Sequence, residues 1–261
     1  MKIYVAIILI VISFSFTSCE DLFNGDEDGL TTEDVIEGLK TALEIGTDTA
    51  TSVLGLVNGY YGNSLYKIPL PPEADIIVEN LSRLDVGADL VEDVILGINR
   101  AAEDAARDAA PIFKDAITQM SLSDAWDILN GTNPAVNNKS AEGFDSTAAT
   151  GYFKVTTYDA LTNAYSPKIN NALQKDLLDI NYSPYDMWED LTGEYNKVAS
   201  SIVGQLAGLT PVTTDIGEYC TGKALDGLFH KVGEEEKKIR KNPFQWAVDI
   251  IQKVFGSVFK D

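Results

Sequence analysis

The residue types that could do chemistry in this chain gather in two short runs. The first is Asn99, Arg100 and Glu103; the second is Glu235, Glu236 and Arg240. Arg100 and Glu103 lie three residues apart and Glu236 and Arg240 four, spacings at which side chains on one helix meet. Glu235 and Glu236 also interrupt an apolar seam, with Leu225, Phe229 and Val232 before them and Ile239 after. A carboxylate is therefore expected at the edge of a buried face, or inside it. Two readings follow. Arg100 and Arg240 could bind an anion in a pocket between two helices, with Glu103 and Glu236 as acid or base. Alternatively the charges form an internal ion-pair network that sets helix register, because buried charges need partners. Structural networks are commoner than sites, and that weighs toward the second reading.

Other chemistry is sparsely provided for. His230 is the sole histidine, and no Gly-x-Ser-x-Gly elbow is present for it to serve. It follows Phe229 of the apolar seam, which places it on the surface. Zinc would find only His230 and Cys220 as nitrogen and sulfur ligands besides Cys19, so no metal and no cofactor are expected. Asn24, Asp26 and Asp28-Gly29 match the first half of a calcium loop, yet its twelfth position falls on Val35. Gly55 to Gly62 lacks the ending and the strand of a phosphate loop. The aromatic residues Tyr60, Tyr61, Tyr152, Phe153, Tyr158, Tyr165, Tyr182, Tyr185 and Trp188 could line a groove, but their helical spacing assigns them to the core.

The N-terminus carries a different kind of signal. Lys2 precedes Ile3 to Phe16, a run without charge, and Phe16-Thr17-Ser18-Cys19 puts small residues before a cysteine. That order reads as a cleaved signal peptide over residues 1–18. The run falls short of the roughly 20 residues a spanning helix needs. A cysteine at the cut resembles the lipobox of bacterial lipoproteins, with Phe16 where leucine is commonest. The resemblance implies lipidation of Cys19 and a place in the cell envelope, lipid-anchored, at the outer membrane on its periplasmic or surface face. Residues 19–29 then form an acidic tether, Glu20-Asp21-Leu22-Phe23-Asn24-Gly25-Asp26-Glu27-Asp28-Gly29. Its acids resemble surface-export signals of some Gram-negative lineages. With Cys19 lipidated, Cys220 has no disulfide partner and reads as a small packing residue.

The chain has 40 acidic and 20 basic residues, a net charge of −20. That balance excludes nucleic acid as a partner, since such binding rests on Lys and Arg neutralising phosphates. It equally excludes a basic face for anionic lipid. Membrane attachment is expected through the N-terminal lipid, and the remaining partner is an envelope protein or a small ligand.

Helical periodicity runs from Leu30 to the C-terminus, with no strand alternation longer than four residues and no repeat. Thr31 with Asp34 is a capping pair for a first helix whose apolar face is Val35, Ile36, Leu39, Leu43, Ala50, Val53 and Leu54. Gly55 to Gly62 stops it, and the prolines in Lys67 to Pro72 enforce an extended segment. A short helix over Glu73 to Leu84 comes next. The seam Val91, Ile95, Ile98, Ala102, Ala105 and Ala109 predicts a long helix that Pro111 kinks or splits, and its alanines suit a central position. Further helices are expected over Ser123 to Leu129, Thr147 to Ala164, again after Pro167, and over Tyr185 to Leu206. A polar loop, Thr132 to Ser146, lies between the first two of these. One more helix carries Leu225, Leu228, Phe229, Val232 and Ile239. The last is opened by Asn242 and Pro243, with Ala247, Ile250, Ile251, Val254 and Val258 on its face. The expectation is one all-α domain of about eight to ten helices over residues 30–261, with 45% hydrophobic residues to fill its core.

Several stretches resemble a bacterial family catalogued as domain of unknown function 4197. They are Gly38-Leu39-Lys40-Thr41-Ala42-Leu43, Lys67-Ile68-Pro69-Leu70-Pro71, Asn99-Arg100-Ala101-Ala102-Glu103, Asp115-Ala116-Ile117-Thr118-Gln119-Met120 and Thr150-Gly151-Tyr152-Phe153. The terminal match is Lys223 to Phe229, Glu235 to Pro243, and Val254-Phe255-Gly256. The resemblance implies a helical, signal-bearing envelope protein. Both charged runs follow the family's motifs, but the resemblance lends them no role. The Thr132 to Ser146 loop looks longer than the family's.

Overall fold

The computed structural model describes residues 29–83, 88–135 and 144–259. Cys19, the signal peptide and most of the acidic tether, with its calcium-like Asn24, Asp26 and Asp28, lie outside them. So do Leu84 and residues 136–143 of the polar loop. Among the described residues the chain forms ten α-helices in one domain and no strand.

The first helix, α1 (Thr32–Leu54), begins where its cap pair requires. Thr31 accepts the Asp34 N–H, and Asp34 accepts the Thr31 N–H, at 3.1 and 2.9 Å. Two of the otherwise orphaned first-turn donors are thereby satisfied. Val53, expected on the apolar face, is instead exposed, since one residue before Leu54 the helix surface has turned away from its neighbours. The extended segment 67–71 then leads through a 3₁₀ turn into α2 (Asp75–Arg83).

The alanine-rich helix divides earlier than its proline suggests. α3 (Ala88–Ala106) ends at a two-residue turn, and α4 (Ala109–Gln119) carries Pro111 as its third residue. A first-turn N–H has no helical partner in any case, so proline costs nothing there. After α5 (Ala125–Leu129) comes α6 (Ala148–Leu173), which runs unbroken through Pro167 rather than stopping before it. Pro167 is exposed, so the carbonyl it leaves unpaired in the preceding turn can take water instead.

The expected helix over Tyr185 to Leu206 is two. α7 (Pro184–Ala199) starts one residue earlier on a Ser183/Asp186 capping box, and α8 (Ile202–Leu206) starts afresh on Ser201. Gly204 permits the tight turn, because a Cβ there would overlap the Val198 carbonyl. Tyr185 is exposed, whereas Trp188 three residues on is buried. α9 (Ile216–Lys241) is followed by a 3₁₀ turn at Pro243–Gln245, and only then by α10 (Asp249–Gly256). Asn242 makes no side-chain cap, and Ala247 is exposed outside the helix.

The centre of the fold is α9, packed between α1 and α6, with α10 laid across α1 and α3 flanking α6, α7 and α9. Ala101, Ala102, Ala105 and Ala106 of α3 are all buried, as their size suggests. Glycines set the closest approaches. A Cβ on Gly227 would lie 2.7 Å from the Tyr60 ring, whose hydroxyl donates to the Ala224 carbonyl at 2.7 Å.

Candidate functional site

The α9 run forms one closed centre. Glu236 is 1% exposed and Arg240 8%. The Arg240 Nε donates to Glu236 Oε1 at 2.8 Å, one helical turn away. The same carboxylate accepts the backbone N–H groups of Ala149 and Thr150, at 3.0 and 2.8 Å, and the Thr150 hydroxyl at 2.6 Å. These are the second and third residues of α6, whose own N-cap, Thr147, spends its hydroxyl on Asp145. The remaining Arg240 nitrogens donate to the carbonyls of Ile128 and Leu129, the last residues of α5, at 2.9 and 2.7 Å. An anion thus sits at the positive end of one helix and a cation at the negative end of another, the arrangement both dipoles favour. The rings of Phe144 and Phe255 lie 5.4 and 5.2 Å from the guanidinium.

The α3 run forms a second, separate centre around the loop after α1. Glu103 Oε1 accepts the N–H groups of Tyr60 and Tyr61 at 3.1 and 3.0 Å, while Oε2 takes Arg100 at 2.6 Å. Arg100 also donates to Asn58, which holds a left-handed φ of 68°. Asn99 is buried and grips the extended segment like a strand neighbour. It accepts the Ile68 N–H at 2.8 Å and donates to the Ile68 carbonyl at 2.8 Å and its own turn's Ile95 carbonyl at 2.7 Å. Glu235, also buried, pairs with Lys238 at 2.7 Å and Lys231 at 3.5 Å.

Arg100, Glu103, Glu236 and Arg240, for which the sequence left open a shared pocket or an ion-pair network, occupy two centres with different partners. Glu103, Glu236 and Arg240 are engaged by helix ends or loop backbone, and Arg100 by the side chains of Glu103 and Asn58. What the structure adds lies elsewhere on α9, at His230. This side chain is exposed, and its Nδ1 lies 3.4 Å from the Tyr66 hydroxyl, which donates to Glu234 at 3.0 Å. Tyr66 has one proton and spends it on Glu234, which leaves its oxygen to accept from His230 Nδ1. Burial, reinforced by the hydrogen bond to Glu234, raises the Tyr66 phenol above its usual range. The Lys231 ammonium in turn lowers Glu234. The His230/Glu234 spacing of four residues is legible in sequence, but Tyr66 is 164 residues from His230 and gives no local sign.

Two grooves meet at His230. One, of about 420 Å³, lies between α6 and α9; the other, of about 280 Å³, lies between α9 and the extended segment. A larger groove of about 530 Å³ separates α4 from α6 and is lined by Ile112, Met120, Tyr152 and Leu161. None of these three is lined by Arg100, Glu103, Glu236 or Arg240. Among the described residues no cluster of His, Cys, Asp and Glu could hold a metal ion, and no helix is long and apolar enough to cross a membrane.

A family model described as Protein of unknown function (DUF4197) matches residues 29–256. No curated protein and no solved structure matches the chain.

Proposed function

This chain belongs to the family described as Protein of unknown function (DUF4197), and on that premise we propose that it is a cell-envelope lipoprotein acting as a non-enzymatic binding or scaffolding protein. Acyl chains on Cys19 would hold it at the membrane, where two or three chains bind firmly and one only reversibly. The acidic tether and body would stand off a negative lipid surface.

The observation that carries the binding role is the outward side of α8. Ile202, Val203 and Leu206 are 78%, 76% and 84% exposed. They lie within a stretch, Val198 to Thr214, that has no charged residue in a chain with 60 of them. Beside it, Ile77, Leu81, Leu90, Leu191 and Val198 line an apolar groove of about 340 Å³. An apolar surface of this kind is a mark of association, and burying one such side chain contributes about 1.5–3 kcal/mol. The alternative, a ligand-binding protein or hydrolase built on Arg100, Glu103, Glu236 and Arg240, draws less support, since Glu103, Glu236 and Arg240 are already filled by backbone partners and Arg100 by Glu103 and Asn58.

Two measurements test the reading. Labelling with a palmitate analogue should mark the parent and not Cys19→Ala; equal labelling of both would end the lipoprotein reading. A photo-crosslinker at Val203 should give a discrete adduct in intact envelopes that Ile202→Ser with Leu206→Ser abolishes. Absence of any adduct would reject α8 as the docking surface.

A further inference from the structure

The grooves on either side of His230 invert the charge of the molecule. The chain as a whole carries two acids for every base. The residues lining these two grooves include four lysines, Lys67, Lys154, Lys223 and Lys237, against one carboxylate, Asp226. Asp226 and Lys154 offset each other as a pair at 2.7 Å, which leaves the other three lysines in excess. Lys223 and Lys237 have no acidic partner among the described residues; Lys223 stands over the Tyr219 ring at 5.8 Å. Exposed charges farther off than about 8 Å are screened at physiological ionic strength, so these lysines and not the net charge set the local potential.

Placement is orderly as well. Lys223, Asp226, His230 and Lys237 fall on one side of α9, which spans about 21 Å between the two end lysines at 1.5 Å per residue. Lys154 flanks that line from α6 and Lys67 from the extended segment, although Lys67 is shared with Glu92 at 3.1 Å. Gly233 and Gly151 line the groove between α6 and α9. At the crossing, the exposed His230 touches the Tyr66–Glu234 pair through Nδ1.

We infer that this face of α9 binds an extended anionic ligand, with acidic groups of the phosphate or carboxylate class reaching both grooves and passing over His230. The site is independent of Cys19 and of α8. One orthophosphate engages one groove; a chain of phosphates engages both, and linkage raises its affinity beyond the sum of single contacts.

The chain supplies its own reporter, since a single histidine gives a single imidazole signal. The full chain, without a histidine tag, is held in neutral detergent and titrated with orthophosphate, tripolyphosphate and a longer polyphosphate while the His230 ring resonance is followed. The resonance is expected to shift with all three, with affinity rising at least tenfold from orthophosphate to the longest chain. Lys223→Gln with Lys237→Gln should cut the long-chain affinity at least tenfold, while Lys114→Gln, a lysine paired with Asp48 away from these grooves, should leave it unchanged. A resonance that never moves overturns the site. Equal affinity for all three probes overturns the extended ligand, and equal losses in the paired and the Lys114 variants reduce the binding to nonspecific charge.

Discussion

Glu236 of α9 caps α6 from the side: its Oε2 accepts both the N–H and the hydroxyl of Thr150, at 2.8 and 2.6 Å. A helix start is normally satisfied by the residue before it. Here the carboxylate that takes over stands 86 residues later, and its own charge is balanced by Arg240, whose guanidinium closes the end of α5. One ion pair on α9 thus ties the start of α6 to the end of α5.

Glu236→Gln keeps the shape of this centre and removes its charge. Arg240 is then buried without its counter-ion, a change that typically costs about 3–5 kcal/mol. Arg100 is more open to solvent than Arg240, and Glu103 retains two backbone donors without it. Arg100→Met is therefore expected to cost less, about 1–3 kcal/mol. Urea melts of both variants check the order; parental stability in Glu236→Gln would show that the charge is not part of what holds the helix ends.

Two glycines inside helices should respond to alanine with opposite signs. Alanine gains about 1 kcal/mol of helix propensity over glycine. At Gly193 in α7 a Cβ meets nothing within 4 Å, so Gly193→Ala should stabilise by about that amount. At Gly38 in α1 it would lie 2.6 Å from Val254 Cγ2 of α10, and forcing the helices apart costs typically 1–3 kcal/mol. Gly38→Ala is expected to lower the melting temperature while Gly193→Ala raises it.

Acid should loosen the contact between α1 and α10. The hydrogen bond from Lys253, with those from the Thr31 backbone and hydroxyl, holds the Asp34 carboxyl down at about 2, against 3.8 ordinarily. A depressed carboxyl stabilises the fold above its unfolded value and loses that contribution as pH falls through the folded one. The loss belongs between about pH 4 and pH 2. Asp34→Asn, compared with the parent by thermal melts across that window, should show the smaller decline.

Cys220 should be inert until the protein unfolds. It is free and buried, and desolvation pushes its thiol far above the usual range. Thiolate is the reactive form, so iodoacetamide should label Cys220 slowly in buffer and rapidly in denaturant. Rapid labelling of the folded chain would place this part of α9 in exchange with an open state.

The sequence legible on its own is the sequence that acts locally. The Thr31/Asp34 box, the prolines of the extended segment and the apolar seam of α9 each depend on residues a few positions apart. So does the interruption of that seam by Glu235 and Glu236, whose position in the pattern alone marks a buried carboxylate. Where boundaries differ, a nearby signal was outweighed. Pro167 points to solvent and is tolerated, while the Ser183/Asp186 box starts α7 ahead of Tyr185.

The sequence by itself determined the helical class, the family and which charges are too costly to bury alone. Tertiary structure decided their partners. Arg100 and Glu236 could equally have faced one pocket, and it is the packing of α3 against the loop after α1, and of α9 against α6, that sends them to separate centres. Gly233 brings α6 close, with its Cβ position 3.3 Å from Thr147, and so delivers the Thr150 N–H to Glu236. Likewise His230 meets Tyr66 only because the extended segment is pinned by Asn99 beside α9. Helix periodicity is a property of neighbours in the chain. Contacts of 2.8 and 3.4 Å between residues 86 and 164 positions apart exist only once the backbone path has been settled by the burial of everything between them.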